Sequence, residues 1–399
     1  MPTFIDRQLK ILVKSQLNPS KGLFNYYHHR VKDFIESALA KVDVQINGSR
    51  PWDMEVHNEK LYQRIIAKGS LGLGEAYVEG WWDCPQLDEL FAKILRGGLQ
   101  DNVGNNNLAS WLVVLNTKLQ NLQTFSRSFQ VGQQHYDLGN DLYQAMLDSR
   151  LTYSCGYWRN ADNLEAAQKA KLDLICQKLQ LRSGMTLLDI GCGWGSLMKY
   201  AAENYGVSCV GITISQAQIE LGQKLCAGLP VKFRLQDYRQ LQGQFDRLVS
   251  VGMFEHVGYK NYRQYMEVAN RCLKDDGLFL LHTIGNRYSV TYGEQWSNKY
   301  IFPNGMLPSL EQIFQASGKL LVTEDVHNFG ADYDRTLMAW LENFENHWQH
   351  LEAKYGKQFY RHWKYYLCMM AGSFRARNIQ LWQIVFSKKG MLNGYRSVR

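Results

Sequence analysis

No apolar run in the 399-residue chain approaches the ~18 residues of a membrane-spanning helix. The opening stretch, MPTFIDRQLKILVKSQL, has charges scattered through it and no A-x-A-like site, so a secretory signal is not expected. Among the eight cysteines (84, 155, 176, 192, 209, 226, 272 and 368) there is no C-x-x-C pair. That argues against a disulfide framework and against a zinc site, no metal site is expected, and the thiols read as those of a reduced, cytosolic protein. Internal repeats and low-complexity blocks are absent as well. Acidic residues are missing altogether from 356–399, a stretch that holds nine Lys/Arg.

What is there is a globular composition, 45% hydrophobic and 21% charged, which argues against global disorder. Aromatics reach 13%. The net charge of +8 fits an anionic partner, a nucleic acid or a membrane surface, unless it is ordinary surface charge. The length predicts two units. A polar, turn-prone boundary at Asp101–Asn107 divides a mostly helical domain (1–101) from a linker with a connecting helix over Leu108–Leu122 (102–127). A large domain follows (128–399). In it, apolar runs at Thr186–Ile190, Ser208–Ile214, Val231–Leu235, Phe245–Val251, Gly277–Thr283, Leu320–Thr323 and Leu381–Phe386 read as strands. Helical stretches such as Leu164–Leu179 lie between most of them. Alternation of this kind predicts an α/β fold with a mainly parallel sheet, whose ligands sit beyond the carboxyl ends of the strands.

The first run enters Asp189-Ile190-Gly191-Cys192-Gly193-Trp194-Gly195. Glycines at alternate positions permit a tight turn and close approach of a ligand to the main chain. The spacing is neither the G-x-G-x-x-G of dinucleotide sites nor a triphosphate loop. It resembles the first motif of class I S-adenosylmethionine-dependent methyltransferases, a Rossmann-like fold. The second strand ends without the usual ribose-binding acid, which leaves Thr213, Ser215 and Gln218 to bind by neutral hydrogen bonds. Asp237 and Tyr238, after the third strand, are candidates to hold the adenine. Tyr153 and Ser154 complete the predicted cofactor set.

Polar groups also cluster at other strand ends: Tyr153–Trp158, Phe254–Gly258, His282–Gly285 and Gly330–Tyr333. Glu255 and His282 follow apolar runs and are expected to be buried. A buried Glu without a cation needs hydrogen-bond donors, and His282 is a candidate. A satisfied core pair is the alternative.

The runs HYDLGNDLY (135–143), TYSCGYW (152–158), LDIGCGWG (188–195), GITISQAQ (211–218), VGMFEHVG (251–258), LLHTIG (280–285), YIFPNGMLPS (300–309), HNFGADYDRTLMAW (327–340) and FRARNIQLWQIVFS (374–387) resemble those of the cyclopropane fatty acid synthases, relatives of the mycolic-acid cyclopropane synthases. GSLGLGEAYVEGWWDC (69–84) resembles the N-terminal unit of the phospholipid-acting members. The resemblance implies methylene transfer from S-adenosylmethionine to a cis double bond of a phospholipid acyl chain. A carbocation forms, a proton leaves the new methyl group and the ring closes. It also implies a bound bicarbonate as base, held by the side chains of Glu255, His282 and Tyr333 and the backbone of Cys155 and Ile284. Aromatic side chains suit a carbocation, and Tyr153, Tyr157, Trp158, Phe254, Trp296, Tyr300 and Phe302 flank the site in sequence. Where a cysteine nucleophile was once considered for this family, the chain has Met370.

A soluble enzyme on such a substrate must dock on a bilayer. Phe359, Tyr360, Trp363, Tyr365 and Tyr366, interleaved with Lys357, Arg361 and Lys364, are one candidate surface, and Trp81-Trp82 is another. Helix packing or a dimer interface is the alternative for both. A homodimer at the inner face of the cell membrane is expected, and no nucleic acid. The competing readings are a lipid methyltransferase that leaves a methyl branch or a methylated alkene, a non-catalytic lipid-binding relative, and a nucleic-acid methyltransferase.

Overall fold

The computed structural model describes residues 21–99 and 139–399. The expected boundary at Asp101–Asn107 and the connecting helix at Leu108–Leu122 lie outside the described residues. The N-terminal unit is mostly helical, as its sequence predicts. It comprises α1 (Lys21–Ala40), β1 (Glu55–Val56), α2 (Lys60–Val78), β2 (Trp82–Asp83) and α3 (Leu87–Arg96). In α3, Leu87, Leu90 and Phe91 share the buried face. Asp88 and Glu89 stand in its first turn and Lys93 and Arg96 in its last, each complementing the helix dipole.

Two helices lead into the larger unit, α4 (Asn140–Met146) and α5 (Leu164–Lys178). Strands and helices then alternate: β3 (Thr186–Ile190), α6 (Ser196–Tyr205), β4 (Ser208–Thr213), α7 (Gln216–Leu225), β5 (Val231–Leu235), β6 (Phe245–Val251), α8 (Tyr262–Cys272) and β7 (Leu273–Asn286). Beyond them come α9 (Gln295–Tyr300), α10 (Leu310–Ser317), β8 (Val322–Asn328), α11 (Ala331–Arg375) and β9 (Ile379–Ser387). The seven strands form one sheet in the order β5-β4-β3-β6-β7-β9-β8. All neighbours are parallel except β9, which runs antiparallel to both β7 and β8. Strand order reverses between β3 and β6, so the crevice beyond their carboxyl ends is the expected ligand site.

The expected strands match closely; β4 ends one residue before Ile214, β9 extends beyond Leu381–Phe386 at both ends, and two others differ more. β7 is longer at both ends than Gly277–Thr283, and β8 starts two residues later than Leu320 and runs on to Asn328. Leu320 and Leu321 pack inward from the turn before β8, which gave that turn its strand-like apolarity.

The C-terminal basic and aromatic stretch is a correction to the sequence reading. It lies in α11, which packs along α3 and α4. Trp363, Tyr365 and Tyr366 are buried. Arg361 donates to the Tyr77 and Trp82 carbonyls and pairs with Asp83, and Lys364 pairs with Glu345. Arg375 pairs with Asp88, Glu89 and Asp334. The missing acids are therefore supplied by other segments, and the stretch joins the two units. Trp82 is fully buried, its indole N–H donating to the Leu73 carbonyl, while the Arg64 guanidinium lies 4.6 Å from the Trp81 ring. Neither stands as an interfacial anchor.

A second clamp centres on Glu75 of α2. Its carboxylate accepts from Lys299 Nζ at 2.7 Å, Lys68 Nζ at 3.0 Å and Tyr300 Oη at 3.1 Å, and from Arg64. Burial opposes ionisation here, but these donors outweigh it and hold the carboxyl at about 2. Beside it, Gly74 packs against the Trp296 indole so closely that a Cβ would collide with the ring. Thus α9, which follows β7, is tied to the N-terminal unit.

Candidate active site

Gly191, Gly193 and Gly195 all adopt positive φ (89°, 53° and 87°), which explains their alternation in the sequence. The Gly191 and Cys192 amides both donate to the Ile212 carbonyl, fastening the turn to β4. A Cβ on Gly191 would strike Met253, and one on Gly195 would strike Phe233. At Gly193 no protein atom lies within 4 Å of that position. Gly193 is therefore where the turn lies open to a cavity of about 860 Å³.

That cavity takes in fourteen of the seventeen residues singled out from the sequence. Tyr153, Ser154, Asp189, Gly191, Cys192, Gly193, Thr213, Gln218, Asp237, Tyr238, Glu255, His282, Ile284 and Tyr333 all line it. The other three, Cys155 (expected to act through its backbone), Gly195 and Ser215, are not among the lining residues. Gly195 starts α6. Ser215 caps α7, its hydroxyl accepting from the Gln218 backbone N–H. The Cys155 thiol is fully buried against the Gly156 carbonyl and Thr336, and burial pushes it well above the usual thiol range.

Cofactor-side geometry is built from neutral groups, as the missing acid on β4 requires. Thr213 Oγ1 donates to Gln218 Oε1 at 2.7 Å, which leaves the side-chain nitrogen of Gln218, a cavity-lining residue, as its donor. Asp237 is not a lone loop acid. It makes a bidentate pair with Arg239 (Nε to Oδ1 2.8 Å, Nη2 to Oδ2 2.7 Å) and accepts from the Arg239 backbone N–H as well. Asp189 is buried and pushed up to about 7 by that burial, with Lys171 opposing the rise, and its Oδ1 has no hydrogen-bond partner among the described residues. An orphaned carboxylate oxygen beside an open glycine turn fits an amino-acid-bearing, adenosine-type cofactor.

Sequence reading missed Lys171. It is 1% exposed and donates to Ser154 Oγ at 2.7 Å, and burial lowers its pKa to about 8. A signal was available. Along α5 the buried face runs Leu164, Ala167, Lys171, Ile175, Lys178, so two lysines occupy positions that an apolar stripe would fill.

The base-side pair departs from expectation in its bonding. Glu255 does not meet His282. Its Oε1 accepts from the Ile284 backbone N–H at 2.7 Å, so the Ile284 amide is committed to Glu255. Oε2 has no hydrogen-bond partner among the described residues, and burial pushes the carboxyl up to about 7. His282 is 1% exposed, with Nδ1 3.2 Å from Gln383 Nε2 and Nε2 unpartnered among the described residues. Burial, with Lys171 and Lys178 adding to it, holds the imidazole well below its usual range, hence neutral. Tyr333, at the start of α11, stacks on Phe374 at 4.7 Å and lines the same cavity.

Of the aromatic side chains flanking the site in sequence, Tyr153 and Phe302 line the cavity. Tyr157, Trp158, Phe254, Trp296 and Tyr300 pack elsewhere. Tyr365 and Tyr366 of α11, read as surface groups, line it instead, and Tyr153 Oη lies 3.2 Å from Tyr366 Oη. Met370 lines the cavity and Cys368 does not. The cavity continues between the N-terminal helices along Phe34, Leu39, Ile65, Leu73, Phe91 and Leu95.

Comparison with known proteins bears on this arrangement. The chain is 54% identical over 361 residues to the cyclopropane-fatty-acyl-phospholipid synthase of Escherichia coli (strain K12), covering 90% of this chain and 94% of that one. It is 35% identical over 285 residues to cyclopropane mycolic acid synthase 2 of Mycobacterium leprae, covering 64% of this chain and 92% of the relative. Among solved structures, the cyclopropane synthase MmaA2 from Mycobacterium tuberculosis superposes with a TM-score of 0.62 at 33% identity, over 65% of this chain and 98% of that one. The mycolic acid cyclopropane synthase CmaA1, complexed with SAH and CTAB, gives 0.61 at 34% identity, again over 65% of this chain and 98% of its own. The family model for mycolic acid cyclopropane synthetase matches residues 123–384, and with the class I methyltransferase sheet in place the chain belongs to that family.

Proposed function

We infer that this chain is a cyclopropane-fatty-acyl-phospholipid synthase, which adds a methylene from S-adenosylmethionine across the cis double bond of a phospholipid acyl chain. One observation carries the reading. A single cavity is lined by the open glycine turn, by Glu255 and His282, each of which carries a buried unpartnered atom among the described residues, and by an apolar sleeve between the N-terminal helices. A nucleic-acid methyltransferase would need polar edge contacts for a flipped base, which that sleeve does not offer.

S-adenosylmethionine, when bound, supplies an electrophilic methyl group, and bicarbonate supplies a weak base. The turn at Gly193, the Asp189 carboxylate and the Gln218 amide are the groups placed to hold the cofactor. Glu255 and His282 suit a small oxyanion that carries one proton. Neutral His282 presents a donor. Glu255, poised near 7, accepts from an O–H without imposing a full like charge. The rings of Tyr153, Phe302, Tyr365 and Tyr366 offer π faces to positive charge developing on the acyl chain. The apolar walls exclude the water that would otherwise capture that charge as an alcohol.

The test is incubation of the purified protein with S-adenosylmethionine, bicarbonate and vesicles of a cis-monounsaturated phospholipid. Acyl products gaining one CH2, losing olefinic protons and showing upfield cyclopropyl protons are the expected result. A methyl branch or a retained alkene would overturn the product assignment.

For docking, we propose the cavity mouth in place of the two surfaces suggested by sequence. No helix among the described residues is long and apolar enough to cross a membrane. At the mouth, Phe34, Tyr288 (69% exposed) and Tyr292 stand out as exposed aromatics. Arg96 and Arg287 line the same rim, both exposed and neither in an ion pair among the described residues. Basic groups near an anionic leaflet contribute about 1 kcal/mol each, so Arg96→Gln with Arg287→Gln is expected to weaken vesicle binding about 30-fold at low salt. Cosedimentation with phosphatidylglycerol-containing vesicles measures this, and an unchanged binding curve would place the docking face elsewhere.

A further inference from the structure

Gln383 lies at the centre of a three-strand row. The β7–β9 register sets it opposite His282, and the β8–β9 register sets it opposite His327. Directly opposed residues of antiparallel strands share a face. On its own strand the same face carries Leu381 and Val385, both fully buried. Gln383 is itself 0% exposed. An amide in such a row is costly to bury unless it is hydrogen-bonded. Here its Nε2 lies 3.2 Å from His282 Nδ1, while its Oε1 has no partner among the described residues. A glutamine kept in an apolar row for one bond to a site histidine calls for an explanation.

With the Gln383 amide nitrogen facing the ring, the contact points to the ring nitrogen that carries the proton. An amide NH2 only donates, so Nδ1 must accept, and a neutral imidazole then bears its hydrogen on Nε2. That nitrogen is buried and without a partner among the described residues, in a residue that lines the cavity. We propose that Gln383 is a positioning residue that locks His282 in the Nε2–H tautomer, so that the cavity receives an N–H donor and no imidazole lone pair. The proposal rests on the reading of His282 as a group that holds an anion beside a carbocation. A lone pair there would compete as base and nucleophile for the cation, whereas a donor holds an oxyanion and leaves the cation untouched. The charges around the ring work in the same direction. Lys171 and Lys178 of α5 both disfavour a second proton on it, and Lys178 Nζ is 3.0 Å from His327 Nδ1 at the far end of the row.

The experiment uses the full chain, ligand-free, with 15N-labelled histidine. The His282 signals are assigned by their loss in His282→Asn. Long-range proton–nitrogen correlation is expected to show a protonated Nε2 and an unprotonated Nδ1. Gln383→Glu supplies only acceptors and is expected to reverse that pattern. Gln383→Met, matched in size and apolar like its neighbours, is expected to give a mixture of tautomers. Turnover should fall about tenfold or more in both, with S-adenosylmethionine affinity unchanged. A proton on Nδ1 in the parent protein overturns the proposal whether or not either variant folds, and so does an unaltered pattern in Gln383→Glu. If the tautomer is as stated but no alkene is cyclopropanated, the positioning role stands and the proposed reaction fails. An active enzyme with the opposite tautomer reverses that conclusion.

Discussion

Glu255→Gln is expected to lower methylene transfer by about a hundredfold to ten-thousandfold, the range for removing a group that handles a proton at the reacting centre. The substitution is nearly isosteric. A glutamine Oε1 still accepts the Ile284 N–H that Glu255 accepts at 2.7 Å, so the backbone between β6 and β7 keeps its tie. What changes is the other atom. Oε2, buried and unpartnered among the described residues, becomes an amide NH2 that cannot accept a hydrogen bond or bind a proton. The distinctive control is bicarbonate removal. Parent enzyme in CO2-free buffer should lose activity and regain it on adding bicarbonate, while Glu255→Gln should stay inactive in both. Single-turnover product formation and calorimetric S-adenosylmethionine binding separate the chemical defect from cofactor affinity. A variant retaining more than about one-tenth of parental turnover would remove Glu255 from the proton-handling site.

The same substitution has a stability consequence of opposite sign. Burial raises the Glu255 pKa to about 7 from the ordinary 4.5 of a glutamate. Between those values the unfolded chain has released this proton and the folded chain still holds it. The group's contribution therefore falls as pH rises through that window, and the penalty is complete above about 7. A shift of this size corresponds to about 3 kcal/mol. Glu255→Gln, which cannot ionise, should melt higher than the parent at pH 8 and nearly level with it at pH 4.5. Greater stability with lost turnover marks a group held at a cost for chemistry, and thermal melts across that range provide the check.

Local rules made most of the fold legible, and they failed where two distant segments share one job. The strand Thr186–Ile190, the glycine turn and α5 followed from period and turn chemistry alone. Glu255 and His282 were read as buried, and they are, but their partners were not found. Glu255 takes its donor from the Ile284 backbone, and His282 takes its own from Gln383, 101 residues away across a strand pair. Antiparallel register is not written in either strand by itself. The α11 aromatics misled for a related reason. Arg361 and Arg375 look unbalanced locally, since Asp83, Asp88 and Glu89 lie in the N-terminal unit and Asp334, though on the same helix as Arg375, is 41 residues before it. Charge patterning within one segment cannot distinguish a solvated basic face from half of an interface. The lysines of α5 were the one missed signal that sequence did carry, because a charge at an apolar-stripe position shows in the helical spacing itself.

Gly193→Ala is expected to weaken S-adenosylmethionine binding about tenfold to a hundredfold, and Gly193→Val still more, while the protein remains folded. The neighbour that a new Cβ would meet decides the outcome. At Gly191 it would strike Met253, so substitution there disrupts the protein itself. At Gly193 no protein atom stands within 4 Å, and only a ligand in the cavity can be displaced. The backbone cost is that of a non-glycine residue at φ +53°, about 1–2 kcal/mol. Crowding the ligand adds about 1–3 kcal/mol to its binding free energy, which gives the stated loss of affinity. Gly228→Ala isolates the two effects. Gly228 has φ +82° and equally open surroundings but lies off the cavity lining, so it should carry the folding cost and leave the cofactor untouched. Calorimetric titration with S-adenosylhomocysteine, alongside thermal melts of all three variants, reads both quantities. Equal affinities for the Gly193 and Gly228 variants would mean that the turn does not face the cofactor, and the β3–β4 end of the cavity would lose its assignment.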